Sequence, residues 1–201
     1  MSQQLSVARQ EIDEADQMRA GFYRLLARLL AAPADAEVLA LVAGLQGDES
    51  EMGAAIADLA ARAADATPGS ARDEFELLFN GLGRGLLLPY ASYYLTGFLN
   101  EKPLARLRAD MAPLGIARSA DSGEPEDHIS ALMDMMAGLI EGAFGAPQPL
   151  AAQQDFFAKH IGTWAPHFYA DLEKLPQAEL YAPVGRMGRL FMAIEAAAFE
   201  M

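Results

Sequence analysis

The chain has 201 residues, enough for one domain or for one domain with a hinged subdomain, and a chain of this size buries roughly 70% of its unfolded surface without needing a staple. Cysteine is absent, which excludes disulfides, thiolate nucleophiles and cysteine-ligated zinc or iron–sulfur clusters. Lys and Arg total 15 against 28 Asp and Glu, a formal net charge of −13, which argues against nucleic acid as a ligand and favours a basic partner.

In chain order, helical periodicity dominates. Ile12, Ala15, Met18, Phe22, Leu25, Leu26 and Leu29 recur at three- and four-residue steps and predict a helix from Ala8 to Ala31, which Pro33 stops. The first residues carry no apolar core of signal-peptide length. Asp35 opens a short helix through Val38, Leu39, Val42 and Leu45. Asp48 or Ser50 caps a third, with Met52, Ile56 and Leu59 on its apolar face. Thr67-Pro68-Gly69-Ser70 is a turn with Ser70 as the expected N-cap of a helix running through Phe75, Leu78 and Phe79.

Gly81, Gly83 and Gly85 interrupt that helix, and Leu86-Leu87-Leu88-Pro89 follows. No strand precedes these glycines and no Lys-Ser/Thr follows, so this is not a phosphate-binding loop. The segment 81–89 reads as an extended or hinge-like connector between N-terminal helices (1–80) and C-terminal helices (90–201). Beyond it, Tyr90 to Phe98 leads to a helix from Pro103 to Met111 and a loop from Pro113 to Gly123. A strong helix is expected from Pro125 to Phe144, with Ile129, Leu132, Met133, Met136, Leu139 and Ile140 on one face. Pro147 and Pro149 end it. Two helices cover Leu150 to Leu175, and a last one runs from Gln177 to Met201 with a bend at Pro183. No run of about 18 apolar residues offers a membrane span. No useful strand pattern appears. The expected fold is all-α, a single helical bundle of about eight or nine helices.

Three regions carry candidate function. Glu124-Pro125-Glu126-Asp127-His128 has Pro preset for a first helical turn and carboxylates near the positive end of the helix dipole. That alone makes a good helix start, with Pro125 in the first turn and the acidic groups partly exposed. His128 beside carboxylates suggests a general base, but no nucleophile accompanies it. The histidines His128, His160 and His167 show no metal-ligand spacing. Phe75 to Gly81 and Pro89 to Tyr94 place aromatics, a proline and a hydroxyl on an irregular stretch, suited either to plugging a core or to gripping a peptide. Phe156 to Phe168 holds the single Trp, and Phe157, Ile161, Trp164 and Phe168 read as core.

In order along the chain, these segments resemble the TorD/DmsD/NarJ family of redox-enzyme maturation chaperones. The resemblance rests on Phe-x-x-Leu-Phe-x-Gly (Phe75 to Gly81), Pro-aromatic-x-Ser-x-Tyr (Pro89 to Tyr94), Glu-Pro-x-Asp-His (Glu124 to His128) and His-x-x-x-Trp-x-Pro-x-Phe (His160 to Phe168). Ala91 stands where members often have Glu, and Tyr90 where others have Trp. The resemblance implies an all-helical cytoplasmic chaperone rather than an enzyme, with no cofactor of its own. Its partners would be the twin-arginine signal peptide and the apo-subunit of a molybdenum or tungsten oxidoreductase, held back from export until the molybdenum cofactor is inserted. By position, the peptide-binding surface would comprise Pro89, Tyr90, Ser92, Tyr93, Glu124, Asp127 and His128. As an exposed carboxylate, Asp127 is expected to contribute only about 0.3–1 kcal/mol to stability. A monomer and a dimer domain-swapped through the Gly81–Gly85 connector are both open. So are two other functions: binding or weak hydrolysis of guanine nucleotides, which the missing P-loop Lys counts against, and a helical interaction domain with an unrelated partner.

Overall fold

The computed structural model describes residues 12–80, 85–118 and 123–201. Among the described residues, ten α-helices, two π-helical turns and one short 3-10 turn occur, and no strand. Helix α1 (Glu14–Ala31) starts where the Asp13 side chain accepts the Asp16 N–H at 2.8 Å. Asp35 caps α2 (Ala36–Ala43) and Ser50 caps α3 (Glu51–Asp65). The cap of α4 (Pro68–Phe75) is Thr67 rather than Ser70. The two side chains form a reciprocal capping box, in which Ser70 reaches back to the Thr67 N–H.

A π-helical turn, Glu76–Asn80, continues α4. Gly81 and Gly83 of the expected connector lie outside the described residues. Gly85 is seen, and its close approach has a clear cause: a Cβ there would stand 2.4 Å from the Phe79 carbonyl carbon. The chain then runs back against the π turn, with Leu87 N–H on the Leu78 carbonyl at 2.9 Å. Helix α5 (Ala91–Thr96) ends at left-handed Gly97 and leads to α6 (Lys102–Met111).

The long central helix α7 spans Ile129–Glu141, not Pro125 to Phe144, because His128 is its N-cap. Pro125 therefore lies outside the helix, in a turn closed by the His128 N–H on the Pro125 carbonyl at 3.1 Å. Helix α8 (Leu150–Phe156) passes into a second π turn, Phe157–Ile161, before α9 (Ala165–Lys174). Helix α10 (Tyr181–Phe199) carries Pro183 in its first turn, so the proline starts this helix rather than bending it.

Helix α1 packs along α7, α10 packs along α9, and α3 packs against both α2 and α10. The α9–α10 approach is very close: a Cβ on Gly185 would meet the Glu173 backbone N at 2.4 Å, and one on Gly188 would meet the Tyr169 ring at 2.3 Å. The core between these layers holds Tyr23, Leu26, Met136, Trp164, Phe168 and Tyr169, all buried. Burying each such side chain is worth about 1.5–3 kcal/mol. Phe75 and Phe79 pack edge-on against Tyr181, so the rings of Phe75 to Gly81 are core. Trp164, Phe157, Ile161 and Phe168 are core as well, and the Trp164 indole N–H is satisfied by the His160 carbonyl at 2.8 Å.

Candidate peptide-binding site

The segments Pro89–Ser92 and Pro125–Ile129 meet although some 35 positions separate them. Tyr90 and His128 form an antiparallel β-bridge. The Ala91 N–H donates to the Asp127 carbonyl at 3.0 Å, and the Ile129 N–H to the Pro89 carbonyl at 2.8 Å. Two helix starts, α5 and α7, are thereby tied side by side, and each satisfies first-turn N–H groups of the other.

Asp127 is central to that region. Its Oδ2 accepts the Ser92 N–H at 2.8 Å, the second N–H of α5. Asp127 is only 1% exposed, which corrects the expectation of a partly exposed group whose loss is nearly free. Among the described residues, its other oxygen, Oδ1, is buried without a partner, as is the Ser92 hydroxyl. An unpartnered buried carboxylate oxygen is costly unless something supplies a donor. Glu126 is also buried, not exposed. Arg108 of α6 holds it at 2.7 and 2.9 Å, and Arg118 stands 3.0 Å from its other oxygen. Although burial works against it, these cations and the Arg108 hydrogen bonds lower the Glu126 pKa.

His128 is nearly buried, and burial lowers its pKa to about 4 against the opposing pull of Glu124 and Asp127. The ring is therefore neutral at pH 7. Its Nδ1 accepts the Ser130 N–H at 3.2 Å and lies 2.7 Å from the Ser130 hydroxyl, an imidazole acting as N-cap. The Tyr90 ring meets His128 edge-on at 5.0 Å, and the Tyr90 hydroxyl donates to Glu124. Burial, and then the Glu124 carboxylate, hold that hydroxyl firmly protonated. Tyr93 is half-buried against Tyr94, with ring centroids 6.2 Å apart. Pro89 is buried and contributes its carbonyl to the bridge.

A cavity of about 460 Å³ opens between α5, α6, α7 and the second π turn. Of the seven residues expected at the site, Asp127 lines it. Tyr90 and His128, next to Ala91 and Asp127 in sequence, form the strut that fixes its edge. Leu95, Leu107 and Leu132 supply apolar wall. Exposed Leu95, Phe98 and Leu99 continue the apolar surface at the α5–α6 corner. The cavity also contains Asp110 and His160, whose Nε2 lies 2.9 Å from Asp110 Oδ2. Sequence reasoning did not find Asp110 or the Leu95–Leu99 rim. His160 stood out only as a motif position, and the π turn that brings it opposite α6 has no signature in a 3.6-residue pattern.

Among the described residues, no group of His, Asp and Glu has the arrangement of a metal site. No described helix is long and apolar enough to cross a membrane.

Several known proteins are similar to this chain. A TorD chaperone protein from Vibrio cholerae serotype O1 is 33% identical over 122 residues, covering 57% of this chain and 56% of that one. One from Aeromonas salmonicida is 29% identical over 153 residues, or 73% and 68% of the two chains. The chain thus spans little more than half the length of the Vibrio relative. Among solved structures, a redox enzyme maturation protein from Archaeoglobus fulgidus superposes with a TM-score of 0.60 over 94% of this chain and 99% of that one. At 20% identity, that likeness shows a shared helical fold. The family model described as nitrate reductase delta subunit matches residues 45–170, which include all four motifs and more than half of the sequence, and the chain belongs to that family.

Proposed function

We propose that this protein is a cytoplasmic chaperone for a molybdenum or tungsten oxidoreductase, binding its twin-arginine signal peptide and apo form until the cofactor is inserted. The observation that carries this reading is the buried, unpartnered Asp127 Oδ1 at a cavity with an apolar rim. A carboxylate with one free oxygen in a desolvated wall suits a guanidinium, which brings several N–H donors in a fixed fork. Leu95, Phe98 and Leu99 suit the apolar stretch that follows the arginines in such a peptide. The relatives named as TorD chaperones support the same role. The net charge of −13 favours encounter with a basic segment.

Isothermal titration with a peptide carrying two adjacent arginines and an apolar stretch tests this. Asp127→Asn keeps an acceptor for the Ser92 N–H but removes the charge, so it leaves the fold intact and weakens binding by roughly tenfold or more. Tyr90→Ala loosens the strut and weakens binding less. Wild-type affinity in both folded variants would place the peptide elsewhere. Asp127→Ala is the structural counterpart. It strands the Ser92 N–H and costs about 1–3 kcal/mol of stability.

A further inference from the structure

We propose that Asp110, positioned by His160, is a second cation seat in the Asp127 cavity, so that the cavity receives both basic side chains of a paired motif. This rests on the reading of the cavity as a peptide site and adds a residue that sets its specificity.

The cavity has two acidic groups of different character. Asp127 sits on the start of α7, buried, with Oδ1 unpartnered. Asp110 lies in the last turn of α6, with its side chain 41% exposed. Among the described residues, one Asp110 oxygen is engaged, Oδ2, by His160 Nε2 at 2.9 Å. His160 is itself buried, and burial lowers its pKa against the pull of Asp110. A neutral imidazole gives Asp110 one hydrogen bond without cancelling its charge, so the pair remains an anion.

Two cations also line the cavity, Lys159 and Arg106, and neither is fixed there. Lys159 is occupied by Asp155 at 2.7 Å on the solvent side. Arg106 is exposed and free to turn into water. The groups that cannot move away are the carboxylate of Asp127 and the imidazole-held Asp110. The Leu95, Leu107 and Leu132 walls between them match the methylene stems of arginine, which cover apolar surface while the charged head finds a partner. A volume of about 460 Å³ leaves room for more than one side chain.

The test is a cycle between protein and peptide variants, read by titration calorimetry on the full chain. The peptides carry Arg-Arg, Arg-Gln or Gln-Arg before the same apolar stretch. Asp110→Asn, which still accepts from His160, is expected to weaken the Arg-Arg peptide by roughly tenfold and to lose that effect with one of the two single-arginine peptides. Asp127→Asn is expected to lose its effect with the other. His160→Gln should act in the same direction as Asp110→Asn, more weakly and with the same peptide partner. If Asp127→Asn weakens binding while Asp110→Asn binds all three peptides as the wild type does, the second seat is wrong and the peptide reading stands. If neither variant changes any affinity, the peptide reading itself falls. If Asp110→Asn weakens all three peptides equally, Asp110 shapes the cavity without contacting an arginine, and the proposal is overturned.

Discussion

His128 shows how burial changes the meaning of a motif residue. The sequence marks it as an acid–base candidate, and the structure makes it a neutral helix cap. Its pKa of about 4 lies below the ordinary 6.5, so between those values the unfolded chain holds a proton that the folded protein does not. Stability therefore falls as pH drops through this window, by up to about 3 kcal/mol, and is indifferent to His128 above it. His128→Asn keeps a side-chain acceptor for the Ser130 N–H and should flatten the decline in urea-unfolding free energy between pH 7 and pH 4.5. An unchanged slope would assign the acid sensitivity to other groups. The sequence offered Asp127 as a candidate position but gave no sign of its burial. Pro followed by carboxylates fits a first helical turn and a pre-helix turn equally well. What separates them is the bond to Ser92, which joins residues 35 positions apart and leaves no local trace.

At the level of elements, most helices were readable because their caps and breakers are local: Asp35, Ser50 and Pro33 act within four residues, whereas the start of α1 was missed, since the helix expected from Ala8 begins at Glu14 behind the Asp13 cap. The two π turns were not, since an extra residue per turn is imposed by packing rather than by composition. The glycines divide in the same way. Gly21, on the exposed side of α1, would place a Cβ in open space, so Gly21→Ala should stabilise the protein by about 0.5–1 kcal/mol. Gly185 on α10 has the Glu173 backbone against it, and Gly185→Ala should cost about 1–3 kcal/mol. Thermal melts of the two variants should move in opposite directions. A common direction would mean that α9 and α10 are not packed backbone to backbone.

For the whole molecule, the all-α class followed from periodicity, but which helices are neighbours did not. The pairing of α1 with α7, and the closure of the chain around α5 and α6, depend on contacts between residues far apart in sequence. The bridge at Tyr90 and His128 has a consequence for amide hydrogen exchange. The N–H groups of Ala91, Ser92 and Ile129 all bond across it, so one local opening of the Pro89–Ser92 segment away from the start of α7 would expose the three together. The same opening would break the cavity wall that holds Asp127. A peptide bound only to the closed form, at about 100 times its dissociation constant, makes that opening about 2.7 kcal/mol harder. Exchange at these three amides should then slow together by roughly a hundredfold, while amides at the solvent-facing start of α3 keep their rates. The bridge would thus report occupancy of the cavity from the protein backbone itself, with no label on either partner.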